Sequence, residues 1–216
     1  MTKPKIINES NILISEFKLR FDENSKCLAE WLNNDNLSRI SKFDDEVLAE
    51  IEPHLNIKID GWLEEELKMK VLSIIFFLAK ISEFEKIDVF YERLIAAEMD
   101  NVSIKVVTDC MISSVLGFSA PQKPYFFMQE FKKTRGDKQD PEGQMLAAML
   151  AGQKLNDNGK PMYGSYVIGR DWFFSTLDGK NYAKSEAFRL TQPKELRQII
   201  LTLRKLKQII LNDLMT

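Results

Sequence analysis

Apolar residues recur along this chain with two different periods, one typical of helices and one typical of strands. The positions where the period changes divide the chain into helical and extended segments. Within the first sixty residues, apolar side chains recur every three or four positions over 27–32 and 43–55, which predicts two short helices. Asp60 and Gly61 precede a longer helix that is predicted to end near Ser82. Its apolar stripe consists of Leu63, Leu67, Val71, Ile74 and Leu78.

From Ile87 onward the period becomes that of strands. The segments 89–96 and 102–108 flank the turn signal Asp100-Asn101, which favours an antiparallel hairpin. A helix that continues through 93–99 is the alternative. A loop over 117–123 and a third strand from Pro124 are predicted to follow.

The second half of the chain is predicted to hold two long helices with strands between them. Pro141 suits the first turn of a helix that extends to about Leu155, where the polar residues 156–159 end it. Strands are predicted over 161–168 and 172–177, and a long closing helix over 193–214. The central order is therefore helix, three strands, helix and strand.

Composition limits the class of protein. A chain of 216 residues with 44% apolar residues is long enough for one sizeable core beside an accessory segment. Cys27 and Cys110 form no CxxC pair, which argues against a zinc site and a disulfide framework. The longest apolar run, 71–79, is about half of a bilayer span, and residues 1–5 lead into no signal-type core. We therefore expect a cytoplasmic protein without a membrane partner.

Charge is distributed unequally along the chain. Residues 1–120 hold 14 Lys and Arg against 22 Asp and Glu, whereas residues 121–216 hold 16 against 10. The surplus of basic residues in the second half is compatible with binding to a phosphate backbone. It is small, however, for a nucleic-acid-binding protein. Ordinary solvated helix faces explain the same numbers equally well.

The main candidate for chemistry is a pair of charges inside the third predicted strand. Glu130 and Lys132 lie two positions apart, so both point to one face, whereas Lys133 points to the other. Asp109 interrupts the apolar strand before it. Two acids supply hard oxygen ligands for Mg²⁺ or Mn²⁺, and a lysine beside them orients or helps to deprotonate an attacking water.

In this order of elements, Asp109, Glu130, Lys132 and Gln144 resemble the signature of the PD-(D/E)xK, or restriction-endonuclease-like, superfamily. The resemblance covers roughly 61–169. The sequences of the segments 124–132, 140–144 and 163–174 are also similar to those of a group of largely uncharacterised bacterial proteins assigned to that fold. The resemblance implies an α/β protein with a mixed central sheet flanked by helices. It further implies a helical extension over 1–60 and a nuclease-like domain with a long C-terminal helix over 61–216.

The resemblance implies a metal-dependent enzyme that hydrolyses phosphodiester bonds of DNA. Asp109 and Glu130 would hold the ion together with the backbone carbonyl of Phe131, and Lys132 would act on the attacking water. Gln144 would be an accessory catalytic residue, although a polar residue at the boundary of a packed helix explains it equally well.

The first long helix usually supplies a further acid in this superfamily. Glu64, Glu65 and Glu66 all qualify, and the resemblance favours Glu66 as a metal ligand. The alternative is that all three are acids of a first helical turn, where the helix dipole favours them.

Contacts with nucleic acid are expected from basic residues around the proposed site, with DNA as the main partner and RNA as the alternative. The candidates are Lys133, Arg135 and Arg170. A second function remains open, in which the fold is retained without turnover and the protein binds nucleic acid or a partner. The N-terminal helices would then dock a second copy of the chain or another protein.

Overall fold

The protein, a computed structural model, is an α/β structure built on one mixed sheet flanked by helices. The structure describes residues 9–35, 40–99, 102–117, 120–133 and 139–215. In chain order, the strands are β1 (Arg20–Phe21), β2 (Ile87–Met99), β3 (Val102–Leu116), β4 (Ala120–Lys132), β5 (Met162–Ile168), β6 (Asp171–Asp178), β7 (Asn181–Lys184) and β8 (Phe188–Arg189).

The helices lie before, within and after the run of strands. They are α1 (Ser10–Glu16), α2 (Lys26–Leu32), α3 (Lys42–Lys58), α4 (Glu64–Leu67), α5 (Ser73–Ala79), α6 (Pro141–Asn156) and the long C-terminal α7 (Pro193–Ile209). A π-helical turn, Lys68–Leu72, joins α4 to α5, and a second one, Ile210–Leu214, extends α7. Within the described ranges, no helix combines the length and apolar character needed to cross a membrane.

The sheet has the order β1-β7-β6-β5-β4-β3-β2, with β8 paired to β6. Strands β2, β3 and β4 are antiparallel neighbours. Helix α6 then carries the chain back, so that β5 runs parallel to β4, as a helical crossover connection requires. The remaining strands add antiparallel pairs, apart from β1, which is parallel to β7.

The sheet separates two hydrophobic cores, and this fixes the direction of the side chains of β4. Phe127 and Phe131 belong to the core beneath α5 and α7, whereas Met128 belongs to the core beneath α6. Since successive side chains of a strand alternate between faces, Glu130 and Lys132 lie on the α6 side. The expectation that these two charges share one face is confirmed.

Helix α6 approaches the sheet closely because β5 carries a glycine beneath it. A Cβ added at Gly164 would lie 2.6 Å from Sδ of Met149 and 2.9 Å from Sδ of Met145. A side chain at this position would therefore force the two methionine side chains of α6 to move. The close contact brings the first turn of α6 beside β4 and β5.

The helices that precede residue 61 pack into the same core as the sheet. Trp31 of α2 is fully buried, and its indole Nε1 donates to the carbonyl of Thr202 at 2.9 Å. Its ring makes edge contacts with Phe127, Tyr163 and Phe174. The division into a segment 1–60 and a domain 61–216 stays a prediction.

Several predicted boundaries were wrong. Strand β4 begins at Ala120 rather than at Pro124, because Pro121 and Pro124 hide the strand pattern in its exposed first half. The helix proposed as an alternative over 93–99 is part of β2, and the helix predicted as short over 43–55 extends from Lys42 to Lys58. The turn at Asp100-Asn101 lies outside the described residues.

Candidate functional site

The charged residues of β3 and β4 meet where the hydrogen-bond ladder between these strands ends. Cys110 and Gln129 form the ladder pair at this end. Beyond this pair, side chains of β3 form hydrogen bonds to the backbone of β4. Oγ1 of Thr108 donates to the carbonyl of Gln129 at 3.0 Å, and Oδ2 of Asp109 accepts the N–H of Phe131 at 2.7 Å. Asp109 is therefore held by the backbone of β4.

Glu130 and Lys132 form a buried ion pair on the face of β4 next to Asp109. Nζ of Lys132 donates to Oε1 of Glu130 at 2.9 Å and lies 3.5 Å from Oε2 of Glu64 in α4. Glu130 is 2% exposed and Lys132 is 6% exposed. Oε2 of Glu130 is also buried and has no hydrogen-bond partner among the residues that the structure describes. The carboxylate is thus only half satisfied, although burial makes an unpaired oxygen costly.

A second lysine enters the site from the π-helical turn. Nζ of Lys68 lies 2.8 Å from Oδ1 of Asp109 and 3.2 Å from Oε1 of Glu64. It also lies 2.9 Å from Oε1 of Glu92 and 3.3 Å from Oε1 of Glu65. A single ammonium is therefore surrounded by four carboxylates. We refer to the group formed by Glu64, Lys68, Glu92, Asp109, Glu130 and Lys132 as the acid-lysine cluster.

Backbone strain occurs at the same place. Glu92 has a φ of 50°, in the left-handed region that residues other than glycine seldom adopt. It lies between Tyr91, which pairs with Cys110, and Arg93, which pairs with Thr108. Such a conformation costs on the order of 1 kcal/mol or more and occurs preferentially at functional sites. In this protein it brings the carboxylate of Glu92 to Lys68.

Burial and like charge act together on the acids of the cluster. Burial, followed by the neighbouring charge of Asp109, raises the pKa of Glu130 to about 7 despite the contact with Lys132. Burial also raises the pKa of Asp109, although hydrogen bonding to Lys68 opposes this shift. Burial opposes the charge of Lys132, but Glu130 and the other carboxylates outweigh it, so the pKa of Lys132 is raised. Both lysines therefore stay cationic near neutral pH, whereas Glu130 titrates there.

The raised pKa of Glu130 predicts a specific dependence of stability on pH. The folded state binds the Glu130 proton more tightly than the unfolded chain, so this group destabilises the fold progressively as pH rises from about 4.5 to about 7. In EDTA at pH 8, Glu130→Gln is expected to raise the free energy of unfolding by about 3 kcal/mol and to have little effect at pH 4.5. Urea unfolding of both proteins across this pH range measures the difference.

Glu46→Gln is the matched control, because Glu46 is an exposed acid on α3 that pairs with the exposed Lys42. It should follow the wild-type curve at every pH. A Glu130→Gln curve that also runs parallel to the wild-type curve would show that Glu130 is ionised throughout this range.

The other predicted site residues lie at different distances from the cluster. Glu66 is bonded elsewhere: its carboxylate accepts the ammonium of Lys70 and the N–H of Leu63. Glu64 is the acid of α4 that reaches Lys132, with its Oε2 3.5 Å from Nζ. The role of Glu66 as a metal ligand stays a prediction.

Gln144 lies in the first turn of α6, after the N-cap Asp140, whose side chain accepts the N–H of Gly143 at 2.9 Å. Oε1 of Gln144 is buried and lacks a hydrogen-bond partner within the described part of the chain. Its role at the site stays a prediction.

Two of the basic residues expected to contact nucleic acid, Lys133 and Arg170, follow neighbouring ends of β4 and β5, where the N–H of Gly169 donates to the carbonyl of Lys132 at 2.8 Å. Arg170 follows β5 and pairs with Asp60, which precedes α4. Lys133 follows β4 directly and is half-buried. Arg135 lies outside the described residues. These roles stay predictions as well.

Sequence reasoning missed Lys68 and Glu92. A signal for Lys68 was present, because it follows Glu64 by four positions, and residues at that spacing meet on one face of a helix. For Glu92 no comparable signal exists, since its position depends on the strained backbone within β2. The contact between Lys68 and Asp109 joins residues 41 positions apart, and only the fold brings them together.

Neither models of protein families nor curated protein sequences match this chain when compared with it. The chemistry of the acid-lysine cluster is thus the main guide to function. Among the described residues, no group of three or more His, Cys, Asp or Glu side chains is arranged to hold a metal ion. Lys68 contacts one oxygen of Asp109, and Lys132 contacts one oxygen of Glu130.

Proposed function

We propose that this protein is a metal-dependent nuclease with a restriction-endonuclease-like core, which hydrolyses phosphodiester bonds of DNA. The observation that carries the proposal is the meeting of Asp109, Glu130 and Lys132 at one end of the β3–β4 ladder. Buried acids with a lysine at hydrogen-bond distance are typical of active sites, where shifted pKa values serve catalysis.

The order of elements around the cluster supports the same proposal. A helix that carries Glu64 precedes the antiparallel strands β2, β3 and β4, and α6 then leads into β5, which is parallel to β4. This is the order that the resemblance to the PD-(D/E)xK superfamily implies. Helices α1 to α3 and the strands after β5 are additions to that core.

The residues of the cluster fit a divalent cation in one respect. Oε2 of Glu130 is a buried carboxylate oxygen that no described residue satisfies, and it lies on the strand whose backbone holds Asp109. Asp109, Glu130 and the carbonyl of Phe131 would hold Mg²⁺ or Mn²⁺, with Glu64 in place of Glu66 as a further acid. When bound, such an ion supplies positive charge that stabilises the developing charge on the phosphate.

In the proposed site, Lys132 would serve as a hydrogen-bond donor that orients water and offsets negative charge on phosphate. In the metal-free cluster, burial and the charge of Asp109 raise the pKa of Glu130, whereas the neighbouring carboxylates raise the pKa of Lys132. With an ion bound, Glu130 would be one of its ligands, and Lys132 would supply a positive charge beside it.

A nuclease assay tests this proposal. With Mg²⁺ or Mn²⁺, the wild-type protein is expected to cleave DNA from a panel of single- and double-stranded substrates, and EDTA should abolish the cleavage. Asp109→Asn should reduce the rate by about 100-fold or more, since it removes one of the charges that would hold the ion. RNA and small phosphodiesters in the same panel establish the substrate class. Intact substrates with every metal and nucleic acid would reject the proposed activity.

One observation favours the second function, binding without turnover. Lys68 and Lys132 already pair with Asp109 and Glu130 within the chain, so these two acids have counter-ions without a metal ion. A protein of this type would bind DNA or RNA with equal affinity in EDTA and in Mg²⁺, and would leave it intact. Fluorescence anisotropy with labelled oligonucleotides, run beside the cleavage assay, separates the two functions.

A further inference from the structure

The ammonium of Lys68 lies where a small cation would have to lie in order to share Asp109 and Glu64. Its distances of 2.8 Å to Oδ1 of Asp109 and 3.2 Å to Oε1 of Glu64 are those of direct hydrogen-bonded ion pairs. Oδ2 of Asp109 is already bonded to the N–H of Phe131. A cation that binds Asp109 and Glu64 through the two oxygens that Lys68 contacts would occupy the position of this ammonium.

We propose that Lys68 is a built-in counter-ion that competes with the divalent cation for Asp109 and Glu64, and so sets the affinity of the site for metal. The inference rests on the proposed metal site and extends it. Without metal, Lys68 keeps the acids of α4 and β3 together and prevents their mutual repulsion. With metal, its charge becomes superfluous, and the ammonium has to leave the inner carboxylates.

The surroundings of Lys68 provide a place for the displaced ammonium. Besides the inner acids Asp109 and Glu64, it contacts Glu92 and Glu65, whose side chains are 59% and 77% exposed. These outer carboxylates lie on the solvent side of the same ammonium. Lys68 can therefore move outward by side-chain rotation while it keeps both its proton and a paired carboxylate.

Lys68 also begins an irregular part of its helix. Lys68 is the first residue of the π-helical turn Lys68–Leu72 between α4 and α5. Turns of this type occur mostly as single insertions in helices and frequently at functional sites. Leu67, Val71 and Leu72 anchor the turn in the core, so the rearrangement is confined to the side chain.

Binding of Mn²⁺ to the full-length protein, measured by isothermal titration calorimetry without nucleic acid, tests the inference. Lys68→Met, which preserves the length of the side chain and removes its charge, is expected to bind Mn²⁺ about tenfold or more tightly than the wild type, because couplings between competing ligands typically span about 5- to 150-fold. Lys68→Arg retains the charge and should bind no more tightly than the wild type.

Lys70→Met is the matched control, because Lys70 lies in the same turn but pairs with Glu66 outside the cluster. Its affinity for Mn²⁺ should equal that of the wild type. If Lys68→Met unfolds without metal, Lys68→Gln, which retains a hydrogen-bond donor for the acids, takes its place. Thermal unfolding adds a second readout, since Mn²⁺ should raise the Tm of the neutral variant more than that of the wild type.

The outcomes separate this inference from the proposed activity. Equal affinity in the wild type and the neutral variants, including absence of binding in all of them, would overturn the role of Lys68. Weaker binding in the neutral variants would overturn it too, because Lys68 would then support the metal site. Tighter binding without DNA cleavage would support the counter-ion and reject the nuclease, whereas cleavage with unchanged affinities would do the reverse.

Discussion

Lys132→Met is expected to reduce the rate of metal-dependent DNA cleavage by about 10²- to 10⁴-fold, the usual contribution of a positioned side chain that handles protons or charge at the reacting group. The ammonium of Lys132 lies 2.9 Å from Glu130, and the residue is 6% exposed, so water cannot readily replace it. Methionine has nearly the same length and retains the packing of β4. Initial rates at saturating Mg²⁺ with a single DNA substrate measure the effect.

Lys123→Met provides the matched control for this prediction. Lys123 belongs to the same strand but is exposed near its opposite end, away from the acid-lysine cluster. Its loss should leave the rate within about twofold of the wild type, as expected for a surface residue away from the chemistry. Equal rates in Lys132→Met and the wild type would reject the role assigned to Lys132 even if the protein proved to be a nuclease.

Trp31→Ala is expected to lower the free energy of unfolding by about 3–5 kcal/mol, the range observed when a large buried aromatic side chain is deleted. Trp31 of α2 is fully buried, and its indole N–H donates to the carbonyl of Thr202 in α7. Deletion leaves a large cavity against three other aromatic rings and a backbone acceptor without its donor. Urea unfolding followed by circular dichroism measures the loss.

Phe43→Ala is the control for Trp31→Ala. Phe43 also lies in the helical segment before residue 61, but it is 57% exposed. Its removal should cost no more than about 0.5 kcal/mol, as is usual at the surface. The same curves test the organisation of the chain. One cooperative transition that shifts as a whole in Trp31→Ala would show that 1–60 unfolds with the sheet, whereas a separate early transition would support an independent segment.

Long elements with a clear period were predictable from the sequence. Helix α6 was expected to extend from Pro141 to about Leu155 and ends at Asn156, because proline at its start and the polar residues after it are strong local signals. The short strands β1 and β8, each of two residues, were not predicted. A period cannot be recognised in two residues, and such strands exist only through their partners in the sheet.

In the candidate site, too, some features follow from the local sequence, whereas others depend on contacts between distant elements. The shared face of Glu130 and Lys132 follows from the two-residue period of a strand, which local stereochemistry imposes wherever a strand forms. The choice between Glu64 and Glu66 does not follow from the helical pattern. Both acids flank the apolar stripe, and only the packing of α4 against the sheet places Glu64 within 3.5 Å of Lys132.

The sequence alone determined that two acids and a lysine lie on two consecutive strands, because the strands and the alternation of their side chains follow from the local pattern of apolar residues. The tertiary structure decided the charge environment of that group. Lys68 and Glu92 come from a helical turn and from a strained position in β2, and their contacts depend on how these elements pack. Burial, which raises the pKa of Glu130, is likewise a property of the whole fold, because surrounding elements exclude the water that would stabilise its charge.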